Sequence, residues 1–428
     1  NAAPVIDLSG PGTDKAHAGN DYVTSYTEKS AVGTSIADST LTLIDSDKDS
    51  GTVYTVTVTL NNPVAADGDK LTLGALTGGI TADTSTANVI VLKGTSATSL
   101  ADIQNAIKNI TFSNTSSNPS VADRTVTVKV DDGSGTNAVG SATTTIKVIP
   151  TNDAPVLDLD TAQDGTGYAA SYVAGHAGVA IANTTSLSSV SLSDADNTTL
   201  SKVTVSIDGA KTGDLLTAVA ANMPSTVVAS AYSNGSIILT AATGKTPTLA
   251  DFQKAIQAIT FSTTDSSATS RNINVIADDG QDKNHASNTA VSTITIAPNI
   301  APVIDLNGPG TDDAHKGNDY STTFTQKGGA VSIADTGVQV SDANGDKIAS
   351  VTVTLNNPVT ADGDKLSIGT GPLAGGIVVS QSGNVITLTG NASTTYANYQ
   401  DALKGITYSN TSSHPDTNTV RTVTLVAN

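Results

Sequence analysis

The chain has 428 residues, no cysteine, no tryptophan and a net charge of −18, with 38% hydrophobic, 14% charged and only 3% aromatic residues. Stapling by disulfides is excluded, and without a basic patch to displace counterions nucleic acid is an unlikely class of partner. No run approaches the 18 or more apolar residues of a membrane span, and no signal peptide opens the sequence.

One phrase organises the chain. Ala3-Pro4-Val5-Ile6-Asp7-Leu8 returns as Ala154-Pro155-Val156-Leu157-Asp158-Leu159 and again as Ala301-Pro302-Val303-Ile304-Asp305-Leu306, at intervals of 151 and 147 residues. A period this long marks repeated domains rather than a solenoid, because each copy can enclose its own core. Three modules are expected, at 1–152, 153–299 and 300–428. The sequence begins inside a joint, so it reads as a segment of something longer, with any export signal outside it.

Threonine, serine, alanine, valine, asparagine and aspartate dominate, a mixture that favours short strands and polar turns. In the first module Val5 to Leu8 reads as a strand. A Gly-rich loop from Gly10 through Asp14 to Asp21 leads to a second, Tyr22 to Thr27. Ser39 to Ile44 alternates and ends at Asp45-Ser46-Asp47. Val53 to Leu60 alternates β-branched and polar residues at period two, the signature of a half-buried strand. Asn61-Asn62-Pro63 breaks it, and Asp67-Gly68-Asp69 makes the next turn. Leu71 to Leu76 and Val89 to Leu92 are further strands.

One segment departs from the β pattern. Leu100, Ile103, Ile107 and Ile110 stand at helical spacing behind Ser99, a good N-cap. Leu249, Phe252, Ile256 and Ile259 repeat the face, as do Tyr396, Tyr399, Leu403 and Ile406. One short helix per module, covering the core, is expected. Strands follow at Ile110 to Ser113, Arg124 to Val130 and Ala142 to Ile149, completing an antiparallel sandwich of about seven to nine strands. The third copy stops at Asn428, opposite Asp131 and ahead of the last strand, which leaves an open edge for following residues or a neighbouring chain to fill.

Three acidic clusters recur. The first is Asp45-x-Asp47, Asp194-Ala195-Asp196 and Asp342-Ala343-Asn344-Gly345-Asp346. The second is the Asp-Asp-Gly turn at Asp131 and at Asp278. The third is the joint, Asn152-Asp153, with a weaker form at Asn299-Ile300. Strands alternating up and down put the first two clusters at the N-terminal pole of a module, where the preceding joint also enters. Two like charges at about 4 Å repel by roughly 4 kcal/mol at an effective dielectric near 20, and a hard divalent ion with six to eight oxygen ligands removes that repulsion. Calcium is therefore the expected cation. Each Asp taken singly is also a good turn former.

Taken in order along the chain, the Asn-Asp-Ala-Pro joint, the Asp-Ala-Asp loop, the Asp-Asp-Gly turn and the early-loop Glu28 resemble cadherin-like tandem modules of giant bacterial surface adhesins, including those of the repeats-in-toxin class exported by type I secretion. The resemblance covers all three modules. It implies all-β cadherin/immunoglobulin-like antiparallel sandwiches, an extracellular place at the bacterial cell surface, and a non-enzymatic calcium-stiffened stalk in adhesion and biofilm. It also implies calcium ligands at Glu28, Asn152, Asp153, Asp194, Asp196 and Asp278 for the first junction. For the second it implies Asn299, Asp342, Asn344 and Asp346. Asp45, Asp47 and Asp131 would form a partial site at the start of the chain. Ala174 and Gln326 in the Glu28 position, and Ile300 in the Asp153 position, point to fewer or weaker ions at the second junction. Asp67, Asp69, Asp362, Asp364, Asp14 and Asp21 are weaker candidates, since solvated turns explain them as well.

Catalysis has little support. The five histidines are scattered, and no Gly-x-Ser-x-Gly elbow, His-Glu-x-x-His helix or phosphate loop is present. Two other readings stand beside the stalk. One is a matrix or filament subunit in which the open edge of the third module accepts a strand from a neighbour. The other is a carbohydrate-binding module, which the low aromatic content disfavours. The expected partners are neighbouring repeats of the same parent chain and, on the filament reading, a second copy through that open edge.

Overall fold

The computed structural model describes residues 2–11, 19–47, 52–265, 269–310 and 316–428. Among the described residues the first module contains eleven strands and one α-helix. They are β1 Val5–Asp7, β2 Tyr22–Thr27, β3 Thr34–Ser35, β4 Thr42–Ile44, β5 Thr55–Leu60, β6 Lys70–Leu73, β7 Thr81–Asp83, β8 Val89–Lys93, α1 Leu100–Lys108, β9 Ile110–Ser113, β10 Arg124–Asp131 and β11 Val139–Ile149.

Six of these form one sheet in the order β2-β11-β10-β5-β8-β7. It faces a three-stranded sheet β3-β9-β6 and a two-stranded ribbon β1-β4. The count exceeds the seven to nine expected because two- and three-residue strands such as β3 and β7 are too short to leave a period-two pattern. The sheets are antiparallel with one exception. β2 runs parallel to β11, with Tyr22 opposite Thr144 and Thr27 opposite Ile149.

The alternation in β5 decides its faces. Val56, Val58 and Leu60 are buried while Thr55, Thr57 and Thr59 point outward. Strand β10 does the same with Val126, Val128 and Val130, paired to β5 with Val128 opposite Val58. At the crossing of β1 and β11, a Cβ on Gly140 would lie 1.8 Å from the Pro4 carbonyl oxygen, so only glycine admits the joint there.

The helix forms where expected. Ser99 accepts from the Asp102 amide while the Asp102 carboxylate accepts from Ser99, a capping box. Ile103, Ala106 and Ile107 are buried against the sandwich. Removing water from each such isoleucine contributes about 1.5–3 kcal/mol. Thr248 and Thr395 cap the helices Leu249–Gln257 and Tyr396–Lys404 in the same way.

Three separate hydrophobic cores result, running from Ile6 to Val148, from Leu157 to Ile296 and from Ile333 to Ile406. The second module repeats the strand order of the first, including the parallel pair Tyr168–Val173 with Ala290–Ala297. In the third, the larger sheet has four strands and ends at Val423–Ala427.

Candidate cation sites at the module junctions

The joint after β11 is extended and threads between two loops of the second module. The Asn152 side chain donates to the Asp279 carboxylate at 2.8 Å and to the Lys283 and Asn284 carbonyls. Asn284 returns a bond to the Asn152 carbonyl, and Asn197 donates to the Asn152 side-chain oxygen. The Asp153 amide donates to Asp196 Oδ2 at 2.6 Å. Asp194 closes an Asx turn, its Oδ1 accepting the Asp196 and Asn197 amides, while its Oδ2 is buried without a hydrogen-bond partner. Residues far apart in sequence thus meet at one pole.

Glu28 reaches the same place from the first module. Its Oε2 accepts the Thr151 amide, and its Oε1 is buried with no hydrogen bond, 3.5 Å from the Lys29 ammonium. Lys29 also bonds Asp153 directly across the junction. That bond raises the Lys29 pKa, and with the Asp153 and Glu28 charges it outweighs the opposing effect of desolvation. Lys29 holds a left-handed backbone, with φ of 58°, where the second module has Gly175. A tethered cation therefore stands among these carboxylates.

The Asp-Asp-Gly turn requires a correction. Asp278 ends a strand and points to the outer face, where its carboxylate meets Lys202 at 3.5 Å and His285 at 3.2 Å. Burial would raise its pKa, but the Gly280 amide, His285 and Lys202 together bring it below the usual value. The next residue, Asp279, turns the opposite way and meets the joint. Period-two alternation gives this shift of one position, and sequence reasoning missed it. The first module behaves alike, with Asp131 capping the Gly133 amide and Asp132 buried instead. At that same pole Asp45 Oδ2 accepts the Tyr54 hydroxyl at 2.6 Å while Oδ1 is buried without a hydrogen-bond partner. Burial, then the Asp45 hydrogen bond and charge, push the Tyr54 pKa well up. Asp47 accepts the Ala2 amide.

The second junction is built with fewer carboxylates. The Ile300 amide donates to Asn344 Oδ1 at 2.7 Å, repeating the Asp153–Asp196 bond with neutral groups. Asp342 Oδ1 accepts the Asn344 and Asp346 amides. His176 bonds Asp346 at 3.0 Å across the junction. His176, Asp342 and Asp346, with Asn299, Ile300 and Lys347, line a cleft of about 410 Å³. Ala174 is buried in the position of Glu28.

The weaker candidates have other partners. Asp67 and Asp69 are buried against Arg124, whose Nη2 and Nε reach them at 2.6 and 2.7 Å. Asp362 and Asp364 meet Arg421 in the same way at 2.9 and 2.7 Å. Neither pair is a solvated turn or an open cation site: an arginine already supplies the positive charge. The second module has Thr212 in place of the first Asp, and Asp265, from another loop, takes over on Arg271 beside Asp214. Gly68 is required in the turn, since a Cβ would stand 2.3 Å from the Thr115 hydroxyl at φ of 66°. Asp21 accepts the Thr143 amide. Asp14 lies outside the described residues.

The donors at the first junction are all oxygen, and two of them, Glu28 Oε1 and Asp194 Oδ2, are buried without hydrogen bonds, which fits a hard divalent cation. Among the described residues, no three Asp, Glu or His side chains are gathered closely enough to hold a metal ion as they stand. Lys29 and the backbone amides hold the carboxylates instead.

Neither a protein-family model nor a curated protein sequence matches the chain. Among solved structures it is similar to mouse cadherin-23 EC22-24, with 12% identity, 91% of this chain and 89% of that one covered, and a TM-score of 0.31. It is also similar to human CDH23 EC21-23 (14%, 95% and 97%, 0.26) and to mouse protocadherin-24 EC1-3 (12%, 97% and 99%, 0.27). At such identities and scores the likeness adds nothing to what the sheets and registers already establish. The chain is a tandem array of β-sandwich modules. No helix among the described residues is long and apolar enough to cross a membrane.

Proposed function

We propose that the chain is a non-enzymatic stalk segment of an extracellular adhesin at a bacterial cell surface, stiffened by calcium at its module junctions. The observation that carries this reading is the pair of buried carboxylate oxygens without hydrogen bonds, Asp194 Oδ2 and Glu28 Oε1, the latter with only the Lys29 ammonium at 3.5 Å as a charge partner. A buried unsatisfied carboxylate oxygen is costly, and a bound cation removes the cost while tying both modules to one point. Asn152, Asp153 and Asp196 converge there, and Asp279 replaces Asp278 in the ligand set. The second junction, with Asn344, Ile300 and Ala174, takes fewer or weaker ions. Three stiffened modules would span about 150 Å, judged from strand rise and length.

Calorimetric titration of the chelated protein with calcium tests the reading. Saturable binding that Glu28→Gln and Asp194→Asn both weaken supports it. Titration heats identical to buffer dilution would overturn it.

A further inference from the structure

The parallel strands β2 and β11 end side by side at the exit of the first module. The Glu28 amide, just past β2, donates to the Ile149 carbonyl at 2.9 Å, which sets Glu28 and Lys29 where the joint begins. The Ser30 amide closes a turn on the Thr27 carbonyl. Within that turn Lys29 takes its left-handed φ of 58°, and its side chain crosses to Asp153. The Asp153 amide is itself bound to Asp196, so an ammonium of the first module is linked through one residue to a loop of the second. Asn118 makes a separate tie to that loop, donating to the Ala195 carbonyl at 3.0 Å.

We propose that Lys29 is a built-in strap: its ammonium is the counter-cation of Glu28 and Asp153 and biases the first joint toward its closed geometry before any divalent ion arrives. The Glu28 side chain is fully buried, and among the described residues Lys29 is the one cation ion-paired with Glu28, Asp153, Asp194, Asp196 or Asp279. An ion pair on open surface contributes little, but a buried carboxylate left without its partner is costly. Parting the modules takes Asp153 away from the ammonium and gives up the bond that spans the joint.

The second module supplies the comparison. The Ala174 amide donates to the Ala297 carbonyl and the His176 amide closes the same turn on Val173, so the backbone is repeated. Gly175 keeps the left-handed φ, at 84°. Ala174 and Gly175 thus replace Glu28 and Lys29 as a pair: the acid and the base that straps it are absent together. The strap consists of the chain's own groups, and it stands or falls independently of whether a divalent ion binds.

The test is pulsed electron resonance on the whole protein in chelator, with nitroxide labels at K147C and T293C. Both are exposed positions, one on β11 and one on the strand Ala290–Ala297. Lys29→Asn removes the charge without disturbing the turn, since asparagine holds the left-handed region at Asn88 and Asn137, with φ of 61° and 53°. Lys29→Arg keeps the charge. The expected result is one dominant distance in the parent protein and in Lys29→Arg, and a closed-to-open ratio about fivefold lower in Lys29→Asn. A distribution in Lys29→Asn as narrow as in the parent would overturn the proposal. So would a broad distribution in the parent, or one that arginine fails to narrow.

Discussion

Arg124 is fully buried, and its removal is the sharpest test of what holds a cysteine-free module together. Its Nε and Nη2 bond Asp69 and Asp67, and its Nη1 bonds the Ser120 and Ala122 carbonyls. The Asp69 side chain is fully buried and that of Asp67 nearly so. Arg124→Met keeps much of the apolar stem but strands two carboxylates. Breaking a buried pair by removing one partner costs about 3–5 kcal/mol, because the remaining charge is uncompensated. For a module of this size that lowers a melting transition by about 10 °C. Scanning calorimetry of the whole chain at pH 7 should show one transition displaced and the others in place. A triple variant, Asp67→Asn, Asp69→Asn and Arg124→Met, removes the stranded charges and should recover more than half of the loss. A displacement under about 3 °C for the single variant would refute the reasoning, showing the clamp to be no more than a surface pair.

Other consequences follow from the same contacts. Lys29→Met takes away the tethered cation at the first junction, so calcium should bind about threefold more tightly by titration; unchanged or weaker binding would show that Lys29 does not compete. Burial alone would raise the Asp364 pKa, but hydrogen bonds from Tyr408, Arg421, Val359 and Asn410 outweigh it and hold it low. Its folded pKa thus lies below the unfolded value of about 3.9, so its contribution is complete above that pH and lost as pH falls through the folded value. Melts from pH 2 to 6 should show the third module losing stability only below about pH 4, and less steeply in Asp364→Asn. Ile107→Ala should cost about 2–5 kcal/mol by leaving a cavity under α1, read as a lowered melting transition with an unchanged calcium isotherm.

Much of this architecture is written locally. Strands such as β5 and the three capped helices show in the chain because period two and period 3.6 are set by the backbone itself. The meeting of Asn152, Asp153 and Asp196 follows from counting strand reversals. Other features depend on contacts that no local pattern carries. The parallel pairing of β2 with β11 is a long-range choice. Arg124 looks like one more strand residue until its partners, 55 and 57 residues away, are known. The exchange of Asp67 for Asp265 in the second module hides the same clamp in a different loop. The Asp278 and Asp279 assignment was within reach, since the strand's alternation turns successive side chains to opposite faces. Lys29 was not, because its role comes from a left-handed backbone that aims it across the junction.

Under the proposed function, cations at the joints convert the array into a stiff rod. Small-angle X-ray scattering with and without calcium, paired with a melt in chelator, tests it most directly. Calcium should lengthen the particle toward about 150 Å and raise the melting temperature, and Glu28→Gln should blunt both effects. Identical scattering curves and identical melts in calcium and in chelator would contradict it, leaving the acidic clusters as turns.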